Sequence, residues 1–131
     1  MSEVREIVIE IPEPTPLLNK WQRMHWAQRR VITERFSWLA RQALGYSPKT
    51  PIKRCIVVVE RHSAGMPDWD NLYGSCKSIL DALVSPTKRN PHGIGLIEDD
   101  NPNVIQSLQA TPFKGKKGEG RTVIRVTPLE Y

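Results

Sequence analysis

The stretch IKRCIVVVER, residues 52–61, places five apolar residues in succession between charged ends. Four of the five are valine or isoleucine, and such β-branched side chains favour strands over helices. A near-continuous apolar run is typical of a strand that is buried on both faces. We therefore predict that residues 52–61 form an interior strand, which needs other strands beside it and helices packed on it.

Upstream of this strand, the sequence predicts a second strand and one long helix. The isoleucines of VREIVIEI, residues 4–11, recur at every second position, which predicts a strand that the following prolines end. Residues 21–44 carry apolar side chains at positions 32, 36, 39 and 43, the spacing of one helical stripe. Arginines 23, 30 and 41 share another face of this predicted helix, and Gly45 ends it.

A second helix is predicted further along the chain. Asp70 or Asn71 can cap it, because short polar side chains accept hydrogen bonds from the first free N–H groups of a helix. The helix runs to about Val84. Its buried face consists of Leu72, Cys76, Ile79 and Leu83.

The remaining elements are short strands. Residues 93–98 form a candidate strand, and residues 103–110 and 121–127 are predicted to be the two arms of a hairpin around the turn KGKKGEG. The order is then β-α-β-α-β-β. It predicts a single domain over residues 1–131 of the α/β (α+β) class, with a mixed sheet and helices packed on it.

The charges of the chain are unevenly distributed. The protein carries 19 Lys and Arg against 14 Asp and Glu, a formal net charge of +5. Residues 20–61 contain ten Lys or Arg and two Glu, whereas residues 68–100 contain all five Asp of the protein. A basic body with one acidic island predicts a polyanion partner beside a metal-binding or acid–base centre, although a basic protein with an acidic edge has the same composition.

The sharpest local feature is the acidic motif Asp68-Trp69-Asp70-Asn71. In extended backbone, residues two apart point to the same side, so the carboxylates of Asp68 and Asp70 would repel each other unless a cation lies between them. Mg²⁺ prefers hard carboxylate oxygens and would remove this conflict. The structural alternative is that Asp70 or Asn71 caps a helix and that Asp68 is solvated.

Three further residues are candidates beside this motif. Asp99 and Asp100 follow the apolar run GIGLI, and adjacent strand residues face opposite sides. At most one of the two is therefore expected to join Asp68 and Asp70. Lys77 lies on the second predicted helix, where an ammonium group can stabilise negative charge on a phosphate. The alternatives are an Asx turn for the two aspartates and a solvated surface position for the lysine.

Basic residues outside the acidic island are candidates for phosphate contacts, which hold a nucleic acid without reading its sequence. Three lie near the first predicted helix and three on the Gly/Lys-rich turn: Arg23, Arg29, Arg30, Lys114, Lys116 and Lys117. A solvated turn accounts for the three lysines equally well. Four tryptophans could include a base-stacking residue, although most are expected to pack internally.

Several classes of protein are disfavoured. Cys55 and Cys76 form no CxxC pair, and the three histidines have no zinc-ligand spacing with them, which argues against a disulfide scaffold and against structural zinc. Phosphate-loop, dinucleotide-binding and nucleophile-elbow motifs are absent from the sequence. No apolar run approaches the ~20 residues of a membrane span, and the acidic N-terminus is unlike a signal peptide, so we expect a cytoplasmic protein with no membrane partner.

Taken in order, these motifs resemble the RusA family of Holliday-junction resolvases, which is often encoded in phages and prophages. The family pattern runs Asp-x-Asp-Asn, then a Lys, then Asp-Ala-Leu, then a Gly followed by an Asp-Asp pair. Here those elements are residues 68–71, Lys77, residues 81–83, Gly93 or Gly95, and residues 99–100. The stretch LNKWQRMHW, residues 18–26, also resembles phage members of this family.

The resemblance implies a Mg²⁺-dependent endodeoxyribonuclease, with Mn²⁺ as a substitute ion, that resolves four-way DNA junctions by paired symmetric nicks. It implies that Asp68, Asp70 and Asp100 are catalytic metal ligands, with Asp99 as the less favoured extra ligand. The essential lysine of the family maps to Lys77. Three more residues than in the family pattern precede this lysine, which moves it about one helical turn, ~4.5 Å, along nearly the same side.

A homodimer is expected, because a four-way junction has two-fold symmetry and needs two nicks. The compartment implied is the cytoplasm of a bacterial or phage-infected cell. Two other functions remain open: a non-catalytic basic protein that binds DNA junctions, and a metal-dependent phosphohydrolase that acts on nucleotides. The cleavage-site preference, the number of metal ions and the range of branched substrates also remain open.

Overall fold

Residues 5–129, which the computed structural model describes, form four strands and four helices. In chain order they are β1 (Ile7–Ile11), α1 (Leu18–Arg23), α2 (Trp26–Leu44), β2 (Cys55–Ser63), α3 (Trp69–Gly74), α4 (Cys76–Leu83), β3 (Ile105–Lys114) and β4 (Arg121–Pro128). The strands form one mixed sheet in the order β1-β4-β2-β3, with helices packed on it. This arrangement confirms the predicted α+β fold. Val4, which we assigned to the first strand, lies outside the described residues.

Strand β2 lies inside the sheet, parallel to β3 on one side and antiparallel to β4 on the other. One row of side chains crosses all four strands through Ile9, Ile124, Val59 and Ala110, each of them 0–2% exposed. The prediction of an interior strand is confirmed. The prediction of burial on both faces is wrong, because alternate residues of β2 are buried whereas those between them, such as Glu60, are half-buried. The apolar core therefore covers one face of the sheet.

Strands β3 and β4 do not form the predicted hairpin, because β2 lies between them. Each pairs with a different edge of β2, so the Gly/Lys-rich segment that joins them passes around the end of that strand. Gly115 N donates a hydrogen bond to Ser63 O at 2.8 Å and holds the segment there. A short Gly-rich connection favours a hairpin locally, but the parallel pairing of β3 with β2 is a tertiary contact that overrides it.

The helix predicted over residues 21–44 is two helices, α1 and α2, which the structure separates near His25. His25 caps α2, because its Nδ1 accepts a hydrogen bond from Ala27 N at 3.2 Å. Its own N–H donates to Gln28 Oε1 at 3.3 Å. Histidine is not among the preferred caps, so the sequence pattern carried little signal for this break.

The second predicted helix is also divided, into α3 and α4, which meet at the buried Ser75. The Ser75 hydroxyl donates to Leu72 O at 2.5 Å and accepts from Thr15 Oγ1 at 2.9 Å. Thr15 lies in the segment between β1 and α1. These hydrogen bonds therefore anchor that segment to the junction of the two helices.

Residues 93–98, the candidate strand, dock on the end of α4 and form isolated bridges rather than a strand. Ile97 makes single parallel bridges with Ile52 and with Val84. Gly93 is required here, because a Cβ at this position would collide with the carbonyl oxygen of Val84. The docked segment brings the following aspartate pair next to α4.

Helix α1 packs closely against α3 at Gly74. A Cβ on Gly74 would overlap the Cβ and the branched end of Leu18, so only glycine permits this approach. The contact holds α1 beside the acidic motif at the start of α3.

We expect Gly74→Ala to destabilise the protein by about 1–3 kcal/mol, because the added methyl group overpacks the contact with Leu18. Urea unfolding of Gly74→Ala, Leu18→Gly and the double variant measures the effect. In the double variant residue 18 no longer has the Cβ that the new methyl group would overlap, so the loss of unfolding free energy should be smaller than the sum of the two single losses. Strict additivity would contradict this account of the contact.

Candidate functional site

The acidic motif of residues 68–71 forms the start of α3. Asp68 is the N-cap, because its Oδ1 accepts a hydrogen bond from Asn71 N at 3.0 Å. The helix begins at Trp69, so Asp70 lies in its first turn. The backbone is extended at Asp68 but helical from Trp69, so the condition under which the two carboxylates share one side is not met. The prediction that Asp70 or Asn71 is the cap is wrong. The physical reason is that Asp68 already satisfies a free N–H group of the first turn.

Asn71, the last residue of the motif, holds α1 in place. Its Oδ1 accepts a hydrogen bond from Asn19 N at 3.0 Å, in the first turn of α1, where N–H groups lack partners within the helix. Asp70 is exposed, and no side chain or backbone group among residues 5–129 pairs with its carboxylate. Asp70 is therefore the polar residue of the motif whose side chain makes no hydrogen bond within these residues, although its charge in the first turn of α3 favours the helix.

Lys77, Asp81 and Asp100 form a charged cluster on the exposed side of α4. Lys77 Nζ lies 3.0 Å from Asp81 Oδ1, one turn further along the helix. Partial burial lowers the pKa of Lys77, but the hydrogen bond with Asp81 and the charges of Asp81 and Asp100 outweigh it and hold the pKa above its usual value. Sequence reasoning missed Asp81 as a site residue, although its spacing of four from Lys77 was a signal.

The two adjacent aspartates have different tasks. The carboxylate of Asp99 accepts hydrogen bonds from Asp100 N at 2.7 Å and from Asn101 Nδ2 at 3.1 Å, and the first of these in particular lowers its pKa. Partial burial and a hydrogen bond with Asp99 raise the pKa of Asp100, and the charge of Lys77 only partly offsets this. Asp99 thus builds the turn, while Asp100 is the aspartate whose charge interacts with Lys77.

The three aspartates predicted as metal ligands are not gathered at one point. The charges that shift the pKa of Asp100 lie on α4 and in its own turn, and neither Asp68 nor Asp70 is among them. Within residues 5–129, no three His, Cys, Asp or Glu side chains lie close enough together to hold a metal ion. The donor chemistry still suits Mg²⁺, because all three side chains offer carboxylate oxygens and Asp70 is not otherwise engaged.

Packing restricts where a lysine can stand after the acidic motif. Leu18 covers Gly74, three residues after Asn71, so closely that no side chain fits there. Lys77 lies one turn later, on the part of the helical surface that remains exposed. A lysine at 74 is excluded by packing, whereas a lysine at 77 reaches Asp81 and Asp100.

A groove of about 470 Å³ opens beside the charged cluster, between the start of α2 and the segment after α4. Its lining includes five cationic side chains and one acidic side chain. They are Arg29, Arg30, Lys77, Lys88, Arg89 and Asp81. Trp21 and Trp26 also line the groove. An excess of positive charge in a cleft attracts phosphate groups and raises their local concentration.

Sequence reasoning missed two of these cations, Lys88 and Arg89. The only signal for them was their adjacency in a turn region between two prolines, at positions 86 and 91. Surface turns often carry charged residues without a function, so the pattern alone did not distinguish them. Their position opposite α2 is a tertiary property.

The predicted DNA contacts of the first helix are only partly gathered in this groove. Arg29 and Arg30 line it. Arg29 also donates to Trp21 O at 3.0 Å and to Gln22 O at 3.1 Å, so it satisfies carbonyl groups near the end of α1 as well. Arg23 ends α1 and lines a different cleft, contrary to the prediction that it shares a helix face with Arg30.

Lys114, Lys116 and Lys117 lie outside the groove lining. Lys114 is the last residue of β3, and the other two are exposed in the segment that passes around the end of β2. Their predicted position on a hairpin tip is wrong, because β3 and β4 are not neighbours. Contacts of these lysines with DNA would be separate from those of the groove.

No protein-family model matches the chain, and no curated protein sequence matches it either. No helix within residues 5–129 has the length and apolar character that crossing a membrane requires. The fold and the site define an α+β protein that carries the Lys77–Asp81 ion pair on the wall of a basic, tryptophan-lined groove.

The opposite pKa shifts of Asp99 and Asp100 predict opposite effects on stability. The lowered pKa of Asp99 stabilises the folded state above the unfolded value of ~3.9, and this contribution is lost as the pH falls through the folded value. Asp99→Ala should therefore lower the Tm at neutral pH and have a smaller effect in acid.

The raised pKa of Asp100 has the reverse consequence, because its ionisation opposes folding once the pH rises through the folded value. Asp100→Asn should not lower the Tm at neutral pH, and any gain should vanish below pH ~4. Thermal unfolding in EDTA between pH ~3 and ~7 compares the two variants with the wild type. A large loss of Tm for Asp100→Asn at neutral pH would contradict the assignment.

Proposed function

We propose that the protein is a Mg²⁺-dependent endodeoxyribonuclease that resolves four-way DNA junctions by paired symmetric nicks. The observation that supports this most is the position of Lys77 and Asp81, with Asp100 nearby, on the wall of a groove that four further cations line. A phosphate bound in the groove would lie next to ammonium and carboxylate groups, a combination that suits phosphodiester hydrolysis. The order of motifs that resembles the RusA family supports the same activity.

In this proposal the chain's own cations bind and orient the substrate. Arg30, Lys88 and Arg89 hold backbone phosphates, since such contacts fix a nucleic acid in place regardless of its sequence. Lys77 stabilises the negative charge that develops on the reacting phosphate. Asp81 is a positioning residue, because its carboxylate holds the Lys77 ammonium at 3.0 Å.

Asp68, Asp70 and Asp100 are the residues that would hold Mg²⁺, or Mn²⁺ in its place. Their carboxylate oxygens are the donors that Mg²⁺ prefers, whereas both oxygens of Asp99 already accept hydrogen bonds within its own turn. When bound, the ion lowers the pKa of a water molecule and neutralises charge on the phosphate under attack. Since the three side chains are not gathered here, a shared ion requires the start of α3 and the turn at Asp99 to approach each other.

A labelled synthetic four-way junction incubated with Mg²⁺ tests the proposal. We expect the wild type to nick opposing strands. The nicking rates of Asp70→Asn, Asp100→Asn and Lys77→Ala should each be about 100-fold lower or more, because each substitution removes charge that stabilises the transition state. Lys53→Ala, which removes an exposed lysine outside the groove, should keep the wild-type rate. EDTA should abolish nicking, and Mn²⁺ should restore it.

Other outcomes of the same experiment select the other functions. Tight, salt-sensitive junction binding without metal-dependent nicking would identify a non-catalytic junction-binding protein. Turnover of mononucleotides with inert DNA would identify a nucleotide phosphohydrolase. Equal nicking by the wild type and by Asp70→Asn would remove Asp70 from the catalytic set.

We further propose that the active form is a homodimer, in the cytoplasm of a bacterial or phage-infected cell, where its DNA substrate is found. A four-way junction has two-fold symmetry, and a C2 dimer presents two sites related in the same way. Light scattering should therefore find two chains bound to each junction. Mixed dimers of the wild type and Asp70→Asn should make single nicks instead of paired ones. Paired nicking by a protein that stays monomeric on the junction would overturn this part.

A further inference from the structure

The groove beside the charged cluster has features that phosphodiester hydrolysis does not require, because an exposed tryptophan and a cationic turn both line it. We infer that the groove binds a DNA strand at an unpaired base. Lys88 and Arg89 hold the phosphates on one wall, and Trp26 stacks on the base from the other. The inference rests on the proposed function for the choice of DNA, and it adds the kind of strand that the site takes.

The phosphate wall is a closed turn. Thr87 N donates a hydrogen bond to Asn90 O at 3.0 Å, and Asn90 N donates to Thr87 Oγ1 at 3.0 Å, which leaves Lys88 and Arg89 at the tip. Both side chains are exposed, and no acidic side chain among residues 5–129 pairs with either of them. Two cations on a turn that is already closed bind phosphates with little loss of backbone entropy.

A further hydrogen bond connects this turn to the charged cluster. Asn90 Nδ2 donates to Asp81 O at 2.6 Å, so the turn is fixed to the helix that carries Lys77. A strand held by Lys88 and Arg89 therefore runs past the Lys77 ammonium. The turn thereby sets the position of the strand relative to the proposed catalytic residues.

The stacking wall is the start of α2, where Trp26 is 66% exposed. Its ring contacts that of His25, with 5.4 Å between the ring centroids, and both residues lie outside the apolar core. An indole left in water forgoes the free energy of burial, which a stacked base would supply. Arg29 and Arg30 follow in the same helix and line the groove, so cations flank the stacking face.

This combination favours a DNA strand over other anions. Lys88 and Arg89 are adjacent cations without an acidic partner among the described residues, and they can engage successive phosphates of a strand, whereas the other three groove cations already contact carbonyl or carboxylate groups. A base also presents an aromatic face to Trp26, which an acidic peptide lacks. In a paired duplex the bases stack on one another, so a base becomes available to Trp26 only where it is unpaired, as at a branch point.

Binding of a labelled single-stranded oligonucleotide in EDTA, measured by fluorescence anisotropy at increasing salt, tests the phosphate wall. The double variant Lys88→Ala/Arg89→Ala is compared with Lys49→Ala/Lys53→Ala, which removes the same charge at exposed positions outside the groove. We expect the groove variant to reduce the slope of log Kd against log salt by about 1.4, since each phosphate contact contributes ~0.7 on a single strand. The control should keep the wild-type slope, and equal slopes for the two variants would overturn the inference.

The stacking wall is tested with Trp26→Ala and Trp26→Phe in the same assay. Trp26→Ala should bind the single strand and the four-way junction at least about 5-fold more weakly, whereas Trp26→Phe keeps an aromatic face and should lose much less. Trp38→Ala is the control, because Trp38 is 61% exposed but lies outside the groove. Unchanged binding by Trp26→Ala, or an equal loss on a fully paired duplex, would overturn the assignment of an unpaired base.

These measurements separate the inference from the proposed nuclease, because they need no metal ion and no cleavage. Groove variants that bind like the wild type while nicking persists would overturn the inference and leave the nuclease. If the protein never nicks DNA but the groove variants lose strand binding, the inference stands and the proposed nuclease activity is overturned. Polyglutamate and unlabelled DNA are compared as competitors for the labelled strand. Equal displacement by the two would show a general anion site and overturn the specificity for a DNA strand.

Discussion

Backbone hydrogen bonds hold residues 94–97 on the end of α4, and the candidate site depends on them. The last carbonyl groups of a helix have no partner within it. Here the N–H groups of Ile94 and Leu96 donate to the carbonyl groups of residues 82 and 83, at 2.9 and 3.0 Å. Leu96 O in turn accepts from Ile52 N at 2.9 Å, just before β2. The segment therefore joins α4 to the sheet, and the aspartate pair that follows it comes to lie beside Lys77.

Some polar residues around the site hold its helices in place through hydrogen bonds, whereas others are exposed and make no such contact. Asp68 caps α3, and Asn71 accepts a hydrogen bond from an N–H group in the first turn of α1, so replacing either one would disturb the backbone as well as any chemistry. Asp70, Lys88 and Arg89 are exposed and take no part in such caps. Substitutions at these three positions are therefore the ones whose effects report on function with the least effect on folding.

Much of the local structure could be predicted from the sequence, since the alternation in β1 and the apolar run of β2 are properties of neighbouring residues. The contacts that overrode local signals were long-range. The Gly/Lys-rich turn suggested a hairpin, yet β2 lies between the two strands. His25 interrupts a helical pattern that looked continuous, because its ring nitrogen supplies a cap. Of the candidate site, the predicted convergence of Asp68, Asp70 and Asp100 is not seen among residues 5–129. The parts played by Asp81 and by the turn after α4 did not emerge from the sequence.

The sequence by itself determined the class of the fold, the inventory of charged groups and the unequal distribution of acids and bases along the chain. Periodicity and composition are local properties, so they do not depend on contacts between residues far apart in the chain. Only the tertiary structure decided which charges meet. Lys77 comes close to Asp100 because residues 94–97 dock on α4, and the cations after α4 line one groove with Trp26 because α2 packs against α4. Such meetings depend on packing between elements far apart in the chain, which no spacing within a motif encodes.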